Sequence, residues 1–223
     1  MAGKRLFVHD EQGLGDVLQF VRYLPLLKKM GGEVFFETRA PLIRLCTTSG
    51  LADEVLLRSE APNLPEGCDF IIPLMSLPGV FGHSVDRIPS RVPYLLPPPE
   101  RVQHWGDRLP RGKPKVGLVW AGRPTRPTEA PGLRGRTCGL SAFKPLIDAN
   151  SEICFVGLQQ GPAADEVLAL GMELQNFGPA LTDFADTAGV IAHLDLVITV
   201  DTAVAHLAGA MGKPVWILLQ HVG

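Results

Sequence analysis

The run Leu6-Phe7-Val8-His9-Asp10-Glu11-Gln12-Gly13-Leu14-Gly15-Asp16-Val17 holds the key to the chain. Three apolar residues read as a short buried strand, two glycines let the backbone turn, and a periodic segment follows at once. Val17, Phe20, Val21, Leu24 and Leu27 fall at i, i+3, i+4, i+7 and i+10, the spacing that lines one face of an α-helix. Pro25 lies inside that segment and lacks an amide donor, which predicts a kink or break near Leu24. Gly31-Gly32 ends the segment, and Glu33–Glu37 reads as a second strand. Strand, glycine turn, helix and strand in that order open a βαβ unit, whose strands lie parallel.

The rhythm continues outward from that stretch. Residues 40–48 read as a helix, Glu54–Leu57 as a third strand and Asp69–Leu74 as a fourth. Residues 76–99 are rich in Gly and Pro and have no clean period, and a short helix is predicted over Glu100–Leu109. Pro110-Arg111-Gly112-Lys113-Pro114 has the composition of a linker. A domain boundary is therefore expected near residue 112, giving an amino-terminal domain of residues 1–112 and a second of residues 113–223. The pattern then restarts. Strands are predicted at Val116–Trp120, Ile153–Leu158, Leu174–Phe177, Leu196–Val200 and Pro214–Leu219, with helices at Leu140–Ala149, Pro162–Leu170, 182–193 and Thr202–Met211. Trp105, Trp120 and Trp216 are expected in the core. The fold class is α/β, two Rossmann-like parallel sheets in tandem. Open α/β domains usually finish with a covering helix, so the second domain is expected to be incomplete at its carboxyl end.

Composition narrows the function classes. The chain has 223 residues, 46% apolar and 20% charged, enough to bury a core without covalent staples. Its net charge of −2 supplies no general basic field for nucleic acid or an anionic membrane. Cys46, Cys68, Cys138 and Cys154 form no C-x-x-C pair, which argues against zinc and against a disulfide framework. No metal is expected. No apolar run approaches the roughly 18 residues that span a bilayer, and none near the amino end suits a signal peptide. A cytoplasmic address is expected.

Three features could carry chemistry. In the first, Gly13 and Gly15 match the start of a dinucleotide fingerprint, and Glu37 could pass for the acid that binds ribose. Leu18 stands where the third glycine belongs, however. Asp16 would also place a carboxylate at the helix end meant for pyrophosphate, where like charges repel. A nicotinamide-linked oxidoreductase is thus disfavoured. A carboxylate at that junction suits either a helix cap or a general base acting on a sugar hydroxyl. The second feature is Val197-Ile198-Thr199-Val200-Asp201-Thr202-Ala203-Val204-Ala205-His206, a buried strand running into an acid, a hydroxyl and small residues that open a helix. Free backbone N–H groups at Thr202 to Val204 and the helix dipole make an anion site, with His206 on the same helical face as Thr202. Capping by Asp201 or Thr202 is the structural alternative. The third is the loop holding Arg123, Arg126, Arg134 and Arg136, whose guanidinium forks could clamp a diphosphate or simply be solvated. Gln159 follows a strand at its carboxyl end, the usual ligand edge of an open sheet, and is a possible nucleotide contact.

Taken together, Asp10–Phe20 and Val200–Ala210 resemble the glycosyltransferase domain found behind tetratricopeptide repeats in bacterial proteins. That domain is similar to glycosyltransferase family 9, the ADP-heptose:lipopolysaccharide heptosyltransferases. Gly117-Leu118-Val119-Trp120-Ala121-Gly122 and Arg136-Thr137 extend the likeness over nearly the whole chain. The resemblance implies a GT-B architecture, two Rossmann-like domains facing a cleft, with the acceptor on the first and a nucleotide-sugar on the second. It implies inverting, metal-independent transfer to an acceptor hydroxyl of a glycan or protein, with no cofactor beyond the nucleotide-sugar substrate. By motif match Asp16 looks like the catalytic base, Asp201 like a donor-sugar contact, and Thr202, Ala203 and His206 like the diphosphate cradle. Arg136 stands where heptosyltransferases often have a cationic lysine. Family members carry a further carboxyl-terminal segment, and repeats usually precede the domain, so other segments of a larger protein are possible partners. The alternative is a non-catalytic module that binds a nucleotide or partner.

Overall fold

The computed structural model describes residues 2–59, 64–82, 84–122 and 137–219. The first half contains strands β1 (Arg5–His9), β2 (Glu33–Thr38), β3 (Glu54–Leu57) and β4 (Phe70–Pro73), with helices α1 (Leu14–Phe20), α2 (Leu24–Lys29), α3 (Ile43–Ser49) and α4 (Leu77–Val80). Helix α5 (Pro99–Gly106) leads into the second half. There β5 (Lys115–Val119), β6 (Cys154–Gly157), β7 (Gln175–Asn176), β8 (Leu196–Val200) and β9 (Val215–Leu218) alternate with α6 (Lys144–Asp148), α7 (Glu166–Ala169), α8 (Phe184–Ile191) and α9 (Ala203–Ala210).

The strands form two sheets, ordered β3-β2-β1-β4 and β7-β6-β5-β8-β9, and every pairing is parallel. The α/β expectation of two parallel sheets is met. The apolar runs that signalled strands are the central ones, with Val8 registered against Phe36 on one side and Ile72 on the other. Strands flanked on both faces need apolar residues throughout rather than in alternation, which is why β1 and β8 read so plainly.

Proline positions shaped the helices more finely than periodicity did. The break near Leu24 is real: a 3-10 turn over Val21–Tyr23 separates α1 from α2, and Pro25 sits in the first turn of α2. There its missing N–H costs no helical hydrogen bond. The predicted helices over 140–149 and 162–170 are each a 3-10 turn followed by a short α-helix, with Pro145 and Pro162 in first turns.

One apolar cluster takes side chains from both sheets, joining Leu6, Val8, Val17 and Phe36 to Ala185, Ile191, Leu207 and Ala208. A second cluster covers the other face of the second sheet around Leu118, Trp120, Phe143 and Phe155. Helix α5 precedes the expected boundary in sequence but packs on α8. A Cβ at Gly189 would come within 2.8 Å of the Arg101 carbonyl oxygen and 2.9 Å of Trp105, so the crossing depends on that glycine. Trp105 and Trp120 are buried as expected. Trp216 is not, being 63% exposed. It lies on β9, which among the described residues pairs only with β8 at the rim of the sheet, so its apolar sequence signalled a strand without implying burial.

Candidate functional site

The glycine loop leaves β1 through Asp10 and enters α1 at Gly13. The left-handed residue of that turn is Gln12, with φ of 59°, while Gly13 is extended at φ of −79°. The glycines therefore supply room rather than an unusual dihedral angle. A Cβ at Gly13 would lie 3.0 Å from Asp16 Oδ2, and the Gly13 N–H donates to that same oxygen at 2.8 Å. Gly13 is the N-cap and Asp16 occupies the third helical position, where its carboxylate reaches back to satisfy the cap's amide. Capping and a catalytic position are thus compatible in one side chain. That bond engages Oδ2.

Gly15 faces the other half of the molecule. A Cβ there would meet His206 Cδ2 at 2.9 Å and the Ala203 Cα at 3.4 Å. The glycine permits backbone-close contact between α1 and the first turns of α9. The loop bearing Asp16 and the strand-to-helix junction bearing Asp201, Thr202, Ala203 and His206 are accordingly neighbours, although nearly 190 residues separate them in sequence.

At that junction Thr202 is the N-cap of α9, yet its side chain makes no capping bond. Its hydroxyl pairs with the Thr199 hydroxyl at 3.0 Å instead. Ala205 N–H turns back to the Thr202 carbonyl at 3.0 Å. The Thr202 side chain thus leaves the first backbone donors of α9 uncapped by it, with the positive end of the helix dipole behind them. Asp201, Thr202, Ala203 and His206 are all half-buried.

Other expected site residues fall differently. Gln159 is buried, and its amide is occupied by the backbone: Oε1 accepts from Trp120 N–H at 3.1 Å and Ala121 N–H at 2.8 Å, while Nε2 donates to the Gln160 carbonyl at 2.9 Å. It braces the carboxyl ends of β5 and β6. Glu37 is buried at the end of β2. Arg136, with Arg123, Arg126 and Arg134, lies outside the described residues. Among the described residues no cluster of three or more His, Cys, Asp or Glu could hold a metal ion. A cavity of about 330 Å³ lies by Gln103, Asp107, Arg111, Lys115 and His193, and another of about 190 Å³ by Phe20, Tyr23, Val85 and Ile88; neither is lined by Asp16 or α9.

Two charged clusters escaped sequence reading. Asp10, fully buried, accepts from Thr38 Oγ1 at 2.9 Å, Arg39 Nε at 3.0 Å and Arg58 Nη1 at 2.7 Å, pinning the start of the glycine loop to β2 and to the residue after β3. Asp186, also fully buried, collects Thr182, Arg101 and Trp105. Burial pushes the Asp186 pKa up, but the donors from Thr182, Arg101 and Trp105 outweigh it and hold the carboxyl below its ordinary value. Neither cluster has a spacing signature, because the partners come from different elements.

Residues 143–218 match the model of glycosyltransferase family 9 (heptosyltransferase). That part of the chain is similar to the family. Protein FlbA of Caulobacter vibrioides is 29% identical over 98% of the chain, and the chain spans 40% of the length of FlbA. The glycosyl transferase family 9 structure from Veillonella parvula superposes with a TM-score of 0.68 at 13% identity, covering 97% of this chain and 80% of that one. The E. coli ADP-heptose lipopolysaccharide heptosyltransferase II gives 0.66 at 14%, covering 96% and 84%. The GT-B-like architecture implied by the resemblance is therefore the fold of this chain. Among the described residues no helix is long and apolar enough to cross a membrane.

Proposed function

We propose that the chain is a glycosyltransferase domain that moves a sugar from a nucleotide-diphosphate donor to an acceptor hydroxyl, with inversion and without a metal. The observation carrying this reading is the packing of Gly15 on Ala203 and His206, which brings the helix turn that bears Asp16 against the first turns of α9. The donor's diphosphate docks on the N–H groups of Thr202 to Val204, with His206 as a further donor and the Thr202 hydroxyl available once it turns from Thr199. These groups and the helix dipole stabilise the charge that grows on the departing nucleoside diphosphate. Arg136 adds a cation to the same phosphates, and Asp201 holds the donor sugar. Asp16 takes the acceptor proton through Oδ1, while its Oδ2 stays bound to the Gly13 N–H and fixes the carboxylate's direction. ADP-heptose is the first donor to test, since it names the E. coli neighbour's activity. The acceptor is a glycan or protein hydroxyl presented from the first half.

The Gly13–Asp16 bond equally suits a carboxylate kept only as a cap, and this favours a non-catalytic binding module as the second reading. A panel of nucleotides and nucleotide-sugars, read by thermal shift, identifies the ligand. Donor turnover is then measured with wild type and Asp16→Asn. The enzyme reading expects turnover to fall by about a hundredfold or more in the variant with nucleotide affinity retained. Nucleotide binding without any turnover in the wild type establishes the module instead.

A further inference from the structure

Arg44 lies in the first turn of α3, just past the carboxyl end of β2, and its guanidinium crosses to the other half of the molecule. Nε donates to Asp183 Oδ2 at 2.8 Å and Nη2 to Asp183 Oδ1 at 2.9 Å, a two-pronged pair between residues 139 apart in sequence. Nη2 also stands 3.6 Å from Asp186 Oδ1. Both acceptors are held independently of Arg44. Asp183 is the N-cap of α8, accepting from the Asp186 N–H at 2.9 Å. Asp186 is fixed by Thr182 and, from α5, by Arg101 and Trp105.

We propose that Arg44 is a positioning residue, whose forked ion pair with Asp183, backed by Asp186, sets the separation between the two halves where α1 meets α9. A forked pair fixes direction as well as distance, which a point charge does not. Because both carboxylates are already immobilised, only the Arg44 side chain loses freedom when the tie forms. The Gly15–His206 contact is van der Waals packing, which resists compression but supplies no directional pull. Removing Arg44 leaves Asp183 its cap bond and Asp186 its donors from α5 and Thr182, so each half keeps its internal bonds and the shared apolar core stays, while the forked ion pair between the halves is lost. The Arg44 side chain is 44% exposed, so salt weakens the tie. Only the consequence for a bound nucleotide rests on the function proposed above; the spacing itself can be measured without substrate.

The experiment places spin labels at Thr48→Cys on α3 and Leu168→Cys on α7, both exposed, in the full chain carrying Cys68→Ser and Cys138→Ser. The distance distribution between them is recorded with Arg44 present, with Arg44→Lys and with Arg44→Ala, and each protein is also titrated with ADP. A narrow distribution that broadens or lengthens in Arg44→Ala, and less so in Arg44→Lys, with helix content unchanged, is the expected result. A distribution in Arg44→Ala that superimposes on the parent's overturns the proposal, whatever ADP does. Broadening in a protein that never binds ADP leaves Arg44 its role and counts against the nucleotide reading alone. Where ADP does bind, its affinity should weaken in Arg44→Ala by up to about fivefold, the size of one partly exposed ion pair.

Discussion

The Asp16 carboxylate is bound by its own loop before any substrate arrives, and that bond governs what a substitution there does. Asp16→Asn keeps an oxygen acceptor for the Gly13 N–H but loses the negative charge in the first turn of α1. Its melting temperature should therefore reflect a loss of about 0.3–1 kcal/mol, measured by calorimetry, while any turnover collapses. A stability loss far beyond that would make Asp16 a structural residue first. Gly15 is the more fragile position, since an added methyl must displace the His206 ring. Gly15→Ala should cost about 1–3 kcal/mol in denaturant unfolding, and His206→Ala in the same chain should restore part of it. No recovery would mean that the ring is not what the methyl strikes. The two motifs were legible as residues, because a carboxylate between glycines and an acid–hydroxyl–small run both have local reasons to exist. Their contact was not, because Gly15 gives no sign in sequence of what it touches. Gln159 shows the opposite failure. Its place after a strand suggested a ligand, but its amide is occupied by Trp120 and Ala121.

Helices α5 and α8 show how an element's neighbours set its chemistry. At Gly189 the atom an added methyl would meet is the Arg101 carbonyl oxygen, part of a backbone that cannot rotate aside. Gly189→Ala should thus destabilise at least as much as Gly15→Ala, and a neutral substitution in thermal unfolding would show that the two helices can slide apart. The same pair buries Asp186. Its pKa is lower in the folded chain than in the unfolded one, so its ionised form adds stability in full above the unfolded value of about 3.9. That contribution fades as pH falls through the depressed folded value. Denaturant unfolding of wild type and Asp186→Asn should show a stability gap at neutral pH that closes below about pH 4; a gap constant to pH 2 would contradict the assignment. Strand identities were readable because central parallel strands are apolar on both faces. Edge strands share the composition without the burial, hence the misplacement of Trp216. The 3-10 turn at Val21–Tyr23 was readable only as a proline-disturbed helix, and the one at Leu140–Phe143 only as helix.

The two sheets behave as one body in their packing, since a single apolar cluster runs from Leu6 through Trp105 to Leu207. A core held in common should melt as a unit, so calorimetry should give one transition whose calorimetric and van't Hoff enthalpies agree. Two resolved transitions would mean that the halves are independent and that their contact is weak. The apolar rim formed by Trp216, Ile217 and Leu218 is exposed on β9. The sequence foretold two α/β halves from rhythm alone, but the ties between them, Arg44 to Asp183 and Gly15 to His206, join residues too far apart for any spacing rule. The Gly15 contact brings the first turn of α1 against that of α9, and everything proposed for function depends on an anionic donor occupying that junction. A crystal structure of the complex with ADP examines it. The β-phosphate should lie within hydrogen-bond distance of the backbone N–H groups of Thr202, Ala203 or Val204, with Asp16 facing it across the junction; ADP bound elsewhere, or that helix end left without phosphate in a complex that does hold ADP, would contradict the proposed donor site.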